Sequence, residues 1–317
     1  MRHRSPPRQR GIALILVLWV ITLLTVIAGS FSYSMRTEAL LARNQVNLGQ
    51  SRALADGAVH RAIYESLRPR LLNAATDEAA KPWRKDGRVY SWRQGEATIA
   101  VSMLDESGKI DLNTASDALL KNFLRGVGGL DEQQAEQLLE AILDWRDTDD
   151  LRRPNGAEAA EYRAAGRNYT PANAPFDTVG DLQRVLGMTP ALFAKLAPYL
   201  TVYSRQPGVN AASAERAVLL SLPGATPEAV DEYIARRDEA RKNELPPPPF
   251  VPAAAFGAGD SGATRIRAEA SMNGLRFVRE AVYRPGDQRR VAFLYWAEGT
   301  YQGTSMVTTT NGNETNS

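Results

Sequence analysis

Hydrophobic positions are spread unevenly along this chain. Residues 12–29 read Ile-Ala-Leu-Ile-Leu-Val-Leu-Trp-Val-Ile-Thr-Leu-Leu-Thr-Val-Ile-Ala-Gly, and no charge occurs between Arg10 and Arg36. As a helix this run spans roughly 27 Å, close to the hydrocarbon thickness of a bilayer. From Arg36 to Leu67 no Pro interrupts the chain, and Leu41, Leu48, Ala55, Val59, Ala62 and Ile63 recur at the spacings of one helix face. One helix from residue 12 to about residue 68, apolar first and amphipathic after, is the economical prediction. Gly49 and Gly57 weaken it by about 1 kcal/mol each relative to Ala.

Beyond Pro69 the period changes. Residues 88–92 are short and β-prone, Gln94-Gly95 marks a turn, and residues 97–104 alternate with Ala97, Ile99, Val101 and Met103 on one face. Asp105-Glu106-Ser107-Gly108 is a second turn, followed by Ile110 and Leu112, which extends an antiparallel meander. An amphipathic helix packed on such a sheet buries the apolar face of each.

At Asn113 helical patterning takes over and comes in units. Asn113-Thr114-Ala115-Ser116 opens one that leads through Leu119, Leu120 and Leu124 to Gly126-Val127-Gly128. Asn210-Ala211-Ala212-Ser213 opens a weaker copy that reaches Pro223-Gly224, and Thr178-Val179-Gly180-Asp181 begins a third ending at Gly187. These resemble helix-hairpin-helix or sterile-alpha-motif-like modules. Leu245-Pro246-Pro247-Pro248-Pro249 then forms a stiff connector, either a spacer back to the sheet or a ligand for a proline-recognising partner. Strand patterning resumes over 265–271, 275–283 and 291–296, with a turn at Pro285-Gly286-Asp287. The predicted fold class is α+β: a long N-terminal helix on an antiparallel sheet, with a large all-α domain inserted between strands. The predicted segments are a leader at 1–11, a transmembrane part at 12–35, an amphipathic helix at 36–69, sheet at 84–112, the inserted helical domain at 113–244, a Pro-rich linker at 245–258, sheet again at 259–298, and a disordered tail at 299–317.

Charge gives the membrane segment a direction. Arg2, His3, Arg4, Arg8 and Arg10 precede it with no acidic residue, so the N-terminus stays cytoplasmic and the bulk lies outside the cytoplasm. Three fates remain open for the segment: a signal cut near Ala28-Gly29-Ser30, a plain anchor, or a cut after Gly11 that keeps the hydrophobic helix with Ile12 at its head. The chain has 38 basic and 36 acidic residues, a formal charge of +2, and no Cys, so disulfides and thiolate chemistry are excluded. Residues 109–150 carry four basic residues (Lys109, Lys121, Arg125, Arg146) against ten acidic ones, the reverse of what phosphate contact requires. No His pair, nucleophile elbow or phosphate-binding loop is present, which disfavours an enzyme. Trp83, Trp92, Tyr199, Tyr203, Tyr295 and Trp296 read as core or sheet-face residues.

The most chemical stretch is Asp144-Trp145-Arg146-Asp147-Thr148-Asp149-Asp150, followed by Asn155-Gly156-Ala157-Glu158 and Glu161. Crowded carboxylates repel unless a cation or water intervenes, and hard oxygens on a turning loop suit Ca²⁺. No EF-hand pattern is present. Spacing alone favours an acidic solvated loop partly neutralised by Arg152 and Arg153.

A basic leader ending in Gly, an apolar helix head and an amphipathic continuation resemble the type IV prepilins and their relatives in type II secretion, the pseudopilins. The resemblance implies cleavage by prepilin peptidase after Gly11 and N-methylation of Ile12. Most of that family has Glu as the fifth mature residue, where this chain has Leu16. That departure is typical of the large minor pseudopilin K subunit, and the resemblance to it extends from residue 11 to about residue 296. It implies a non-enzymatic protein of the Gram-negative inner membrane, single-pass with its bulk periplasmic. Such a subunit sits at the tip of the pseudopilus with the minor pseudopilins I and J, above the major pseudopilin, and initiates or caps a filament that exports folded proteins. K subunits bind structural calcium around a similar pattern, which carries over to Asp147, Asp149 and Glu158 first, then to Asp144, Asp150 and Glu161. Two other classes stay open: a membrane-anchored, competence-type DNA-binding protein, and a soluble secreted protein freed near Ser30.

Overall fold

The computed structural model describes residues 12–68, 82–253, 256–286, 290–299 and 306. The leader, with the expected cleavage residue Gly11, lies outside the described residues, as do Asp287 and most of the expected tail. The first helix, α1 (Ile12–Leu67), is followed by strands β1 (Asp86–Gln94) and β2 (Ala97–Asp105) and the two-residue β3 (Ile110–Asp111). Next come α2 (Asp117–Gly126), α3 (Glu132–Arg146), α4 (Ala159–Ala164), α5 (Pro190–Leu196), β4 (Leu200–Thr201), α6 (Arg216–Leu220) and α7 (Pro227–Lys242). The strands β5 (Thr264–Met272), β6 (Leu275–Pro285) and β7 (Val291–Glu298) complete the described chain.

Helix α1 is roughly 84 Å long at ordinary rise. Its large apolar side chains from Leu14 to Val46 are exposed, and among the described residues it is the one helix long and apolar enough to cross a membrane. Burial begins at Asn47 and continues through Ser51, Ala55, Ala58, Val59, Ala62 and Ile63. Leu41 and Leu48, expected on that face, are instead 58% and 46% exposed. Strand length explains Leu41: a nine-residue strand such as β2 spans about 30 Å, the length of about 20 helical residues, so the sheet ends before it reaches that residue, and Leu48 lies at the margin of the contact beside the buried Asn47.

The sheet runs β1-β2-β5-β6-β7, antiparallel throughout, with α1 packed across β2, β5 and β6. Strand alternation sends Ile99, Val101, Met103, Ile266, Ala268, Ala270, Phe277, Ala281 and Tyr283 into one core with α1. Strands β2 and β5 are hydrogen-bonded neighbours, with Asp105 opposite Thr264, so residues 106–263 leave and return at the same end of the sheet. Thr264 is in turn opposite Tyr283, whose hydroxyl is 2.7 Å from that of Ser66 in the last turn of α1. The inserted helical unit is therefore mounted at the far end of α1 from its apolar half.

The insert has its own core, including Leu119, Phe123, Ile142, Trp145, Tyr162, Leu196 and Leu219. Three local readings change. Ile110 does not continue the meander: β3 pairs in parallel with β4, because a 3-10 turn at Glu106–Gly108 redirects the chain into the insert. Asn113 is not the N-cap of α2. Ser116 accepts from the Leu119 N–H, while the Asn113 side chain exchanges two hydrogen bonds with the backbone of Phe176. Likewise Asn210 closes an Asx turn onto the Ala212 N–H, and Glu215 stands at the N-cap position of α6 without a side-chain bond to it. The turn between α2 and α3 needs its glycines: Gly129 has φ +74°, and a Cβ on Gly128 would lie 2.3 Å from the Leu124 carbonyl oxygen.

Candidate functional site

The acidic stretch sits where α3 ends. Helix α3 starts with a capping box at Asp131 and Gln134, and its apolar face places Trp145 in the core against Phe176 and Tyr162. One residue earlier, Asp144 is also fully buried. Its carboxylate accepts from the backbone N–H of Arg153, whose Nε lies 3.3 Å from Asp144 Oδ1. Gly156 packs so closely that a Cβ there would fall 2.0 Å from Asp144 Oδ2, so no other residue fits without displacing the carboxylate. Burial drives the Asp144 carboxyl upward, and the nearby Asp147 adds to it.

Asp147 follows as the C-cap of α3, and its Oδ1 is buried without a hydrogen-bond partner. Glu158 precedes α4 and is 6% exposed, with neither carboxylate oxygen hydrogen-bonded. Its pKa is pushed up to about 7, first by burial and then by the fields of Asp144, Asp147, Asp150 and Asp149. The one guanidinium facing this group within the loop is Arg153, which reaches Asp144 and, at 3.7 Å, Asp147. Arg153 thus stands where positive charge is required, and as the side chains lie, no three acidic or imidazole groups among the described residues converge on one ion position.

The other expected ligands face elsewhere. Asp149 accepts from the Leu151 N–H, and Asp150 accepts from the Asn173 side-chain amide at 2.7 Å. Glu161 caps α4 through the Glu158 N–H and pairs with Arg152 at 3.5 Å. Asp144, Asp147 and Glu158 are thus the buried inner group, with Asp149 and Asp150 as an outer pair and Glu161 behind. The inner group is buried, oxygen-only and short of positive charge, so its carboxylates repel one another unless a proton or a cation intervenes. Arg152 and Arg153 are both expected from the sequence to neutralise the loop, but only Arg153 reaches the buried Asp144, while Arg152 goes to Glu161, and spacing assigns Gly156 no role against Asp144. Gly156 had a local signal, a Gly after Asn in a loop beside buried acid, whereas the position of Arg153 depends on the folded loop.

At the opposite end of the chain, Ile12 opens α1 and Leu16 lies 65% exposed on its apolar half. The basic residues of the first helical hairpin are occupied by acids: Lys121 pairs with Glu132 at 2.6 Å and also with Glu136, and Arg125 pairs with Glu132 at 3.0 Å. They present no free cationic face to a phosphate backbone.

Comparison with known proteins agrees with this architecture. Residues 101–205 match the family model of type II secretion system (T2SS) protein K. The chain is 30% identical over 231 residues to type II secretion system protein K of Klebsiella pneumoniae, covering 68% of this chain and 70% of that one. It is 27% identical over 240 residues to the protein of the same name from Dickeya chrysanthemi, covering 62% and 66%. The fold matches, with a TM-score of 0.59 and 17% identity, a chain of the crystal structure of the GspK-GspI-GspJ complex from the enterotoxigenic Escherichia coli type 2 secretion system, over 82% of this chain and 99% of that one. With a relative this similar over two thirds of both lengths, the chain belongs to the type II secretion system protein K family, the minor pseudopilins, anchored in the membrane by a single apolar helix.

Proposed function

We propose that this chain is the tip subunit of a type II secretion pseudopilus, initiating or capping the filament in complex with counterparts of the I and J pseudopilins. The observation that carries this is the place of the insert. Strands β2 and β5 lead it off at the end of the sheet beside the C-terminus of α1, so a bulky helical unit stands above the head, away from the membrane. A subunit stacked on top would meet it. Leu16 points the same way, because an apolar side chain offers no carboxylate to the terminal amine of a neighbouring subunit, and such a pair is worth most in a low-dielectric bundle. The work is structural rather than catalytic, and His60 is taken up by ring contacts with Phe293 and Trp296. The Arg residues before the apolar run keep the N-terminus cytoplasmic and the head periplasmic. Prepilin peptidase would cut after Gly11 and methylate Ile12. Mass measurement of the mature chain is then expected to give a methylated start at Ile12, and a start near Ser30 would contradict a filament role.

A structural Ca²⁺ in the loop is part of the same proposal. Asp147 and Glu158, whose buried oxygens lack partners, and Asp144 would hold it, with Asp149 and Asp150 reached by small loop movements and Glu161 bracing Glu158. The ion would supply the positive charge that Arg153 supplies now, and in a chain without Cys it would clamp a long loop. Addition of Ca²⁺ to chelator-treated protein is expected to raise its melting temperature by several degrees. Asp147→Ala is expected to abolish most of that gain, and an equal gain in the variant would refute the site.

A further inference from the structure

A second oxygen-rich site lies at the neck, where the insert joins the sheet. Asp105 is the last residue of β2 and is 4% exposed. Its Oδ1 accepts from the backbone N–H groups of Ser107 and Ser261 at 2.8 and 3.2 Å, and from the Ser261 hydroxyl at 3.0 Å. Its Oδ2 is buried and receives no donor. The side chain of Asp260 stands within hydrogen-bonding reach of the Asp105 carboxylate, and its own Oδ1 accepts from the Gly262 N–H at 2.7 Å. The Ser107 hydroxyl is fully buried within reach of the Asp105 carboxylate, and the fully buried Thr264 hydroxyl is unpartnered. Thr264 is the cross-strand partner of Asp105, so their Cβ atoms are about 5 Å apart.

Two adjoining carboxylates need a positive charge between them, either a proton or a cation. A proton would satisfy the acids and leave the Thr264 hydroxyl unpaired. A water would satisfy the hydroxyls and leave the charge. A hard cation satisfies all four groups at once, and two carboxylates with two hydroxyls are the oxygen ligands such an ion takes. We infer that the neck binds a hard divalent cation through Asp105 and Ser107 on the outgoing crossing and Asp260 and Thr264 on the returning one. The ion staples the two crossings that hold the helical unit to the sheet. Asp260 is exposed, which leaves the site open to solvent on one side. Lys85 is the nearby ammonium acting on Asp260.

The test uses the full chain in detergent, with Ca²⁺ as the probe and equilibrium dialysis as the count. In the Asp147→Ala protein, which lacks the loop site, one ion per chain is expected to remain. Adding Asp105→Asn is expected to remove that ion. Its amide can donate to Asp260 in place of the cation, so the chelator-treated variant should melt no lower than its parent. Asp260→Asn, at an exposed position, gives a second variant with the same expected loss of one ion. An unchanged Ca²⁺ count in both neck variants overturns the inference and leaves a shared proton as the bridge. Failure of the loop site would read out separately, as an unchanged count in Asp147→Ala alone.

Discussion

Glu158 carries the clearest electrostatic signature in the chain, a carboxyl raised to about 7 by burial and four neighbouring aspartates. The native state therefore holds a proton that the unfolded chain has lost, so in metal-free protein stability falls as pH rises from the ordinary carboxylate range towards 7. After allowance for solvent screening this amounts to about 1 to 2 kcal/mol, and Glu158→Gln is expected to flatten that part of the profile. Chemical denaturation with chelator at several pH values checks it; an unchanged pH slope in the variant would show that Glu158 is not the group responsible. Residue types were legible here from composition: the run of acids and the Asn-Gly-Ala-Glu that follows are visible in the sequence. Roles were not. Asp150 is engaged by Asn173, 23 residues on, and Asp144 by the backbone of Arg153, pairings that exist only after the loop has closed.

At the level of elements, the strands and long helices were readable because each has one dominant neighbour on one face, which imposes a period of two or 3.6. Misreadings arose where a distant partner decides. Asn113 and Ser116 are both good capping residues, and the Phe176 backbone takes the first and leaves the cap to the second. Leu41 matches the spacing of the buried helix face, but the length of the strands determines where that face begins. The Pro-rich stretch shows the same effect. Phe250 is buried in the insert's core against Tyr233, at 4.6 Å between ring centroids, and Gly257 bridges to Val209. The connector is thus laced to the helical unit before it returns to the sheet. Phe250→Ala is expected to cost about 3 kcal/mol and to increase hydrogen exchange in α7, whose buried face includes Tyr233. Exchange confined to the connector would contradict that anchoring.

Across the whole molecule, two cores meet at a charged neck. Glu106 is 1% exposed, with Arg265 Nε at 2.6 Å and the Thr201 hydroxyl donating to its other oxygen. Burial alone would raise the Glu106 carboxyl, but the fields of Arg265 and Lys109 and the bonds from Arg265 and Thr201 bring it below its ordinary value. Arg265 lies on β5 of the sheet and Thr201 on β4 of the insert, so one carboxylate ties the two units together. A lock of this kind suits a head that must present its helical unit in one orientation beyond the end of a filament. The placement of that unit was only partly legible: the split of the sheet in sequence showed an insertion, but the end of the sheet bearing it depends on the Ser66 to Tyr283 contact. The proposed tip position is open to direct test. The chain has no Cys, so a single cysteine placed at exposed Leu151 in the insert can carry a gold label without competing thiols. On isolated pseudopili, label at one end of each filament is the expected result, and label at regular intervals along the shaft would contradict a tip subunit.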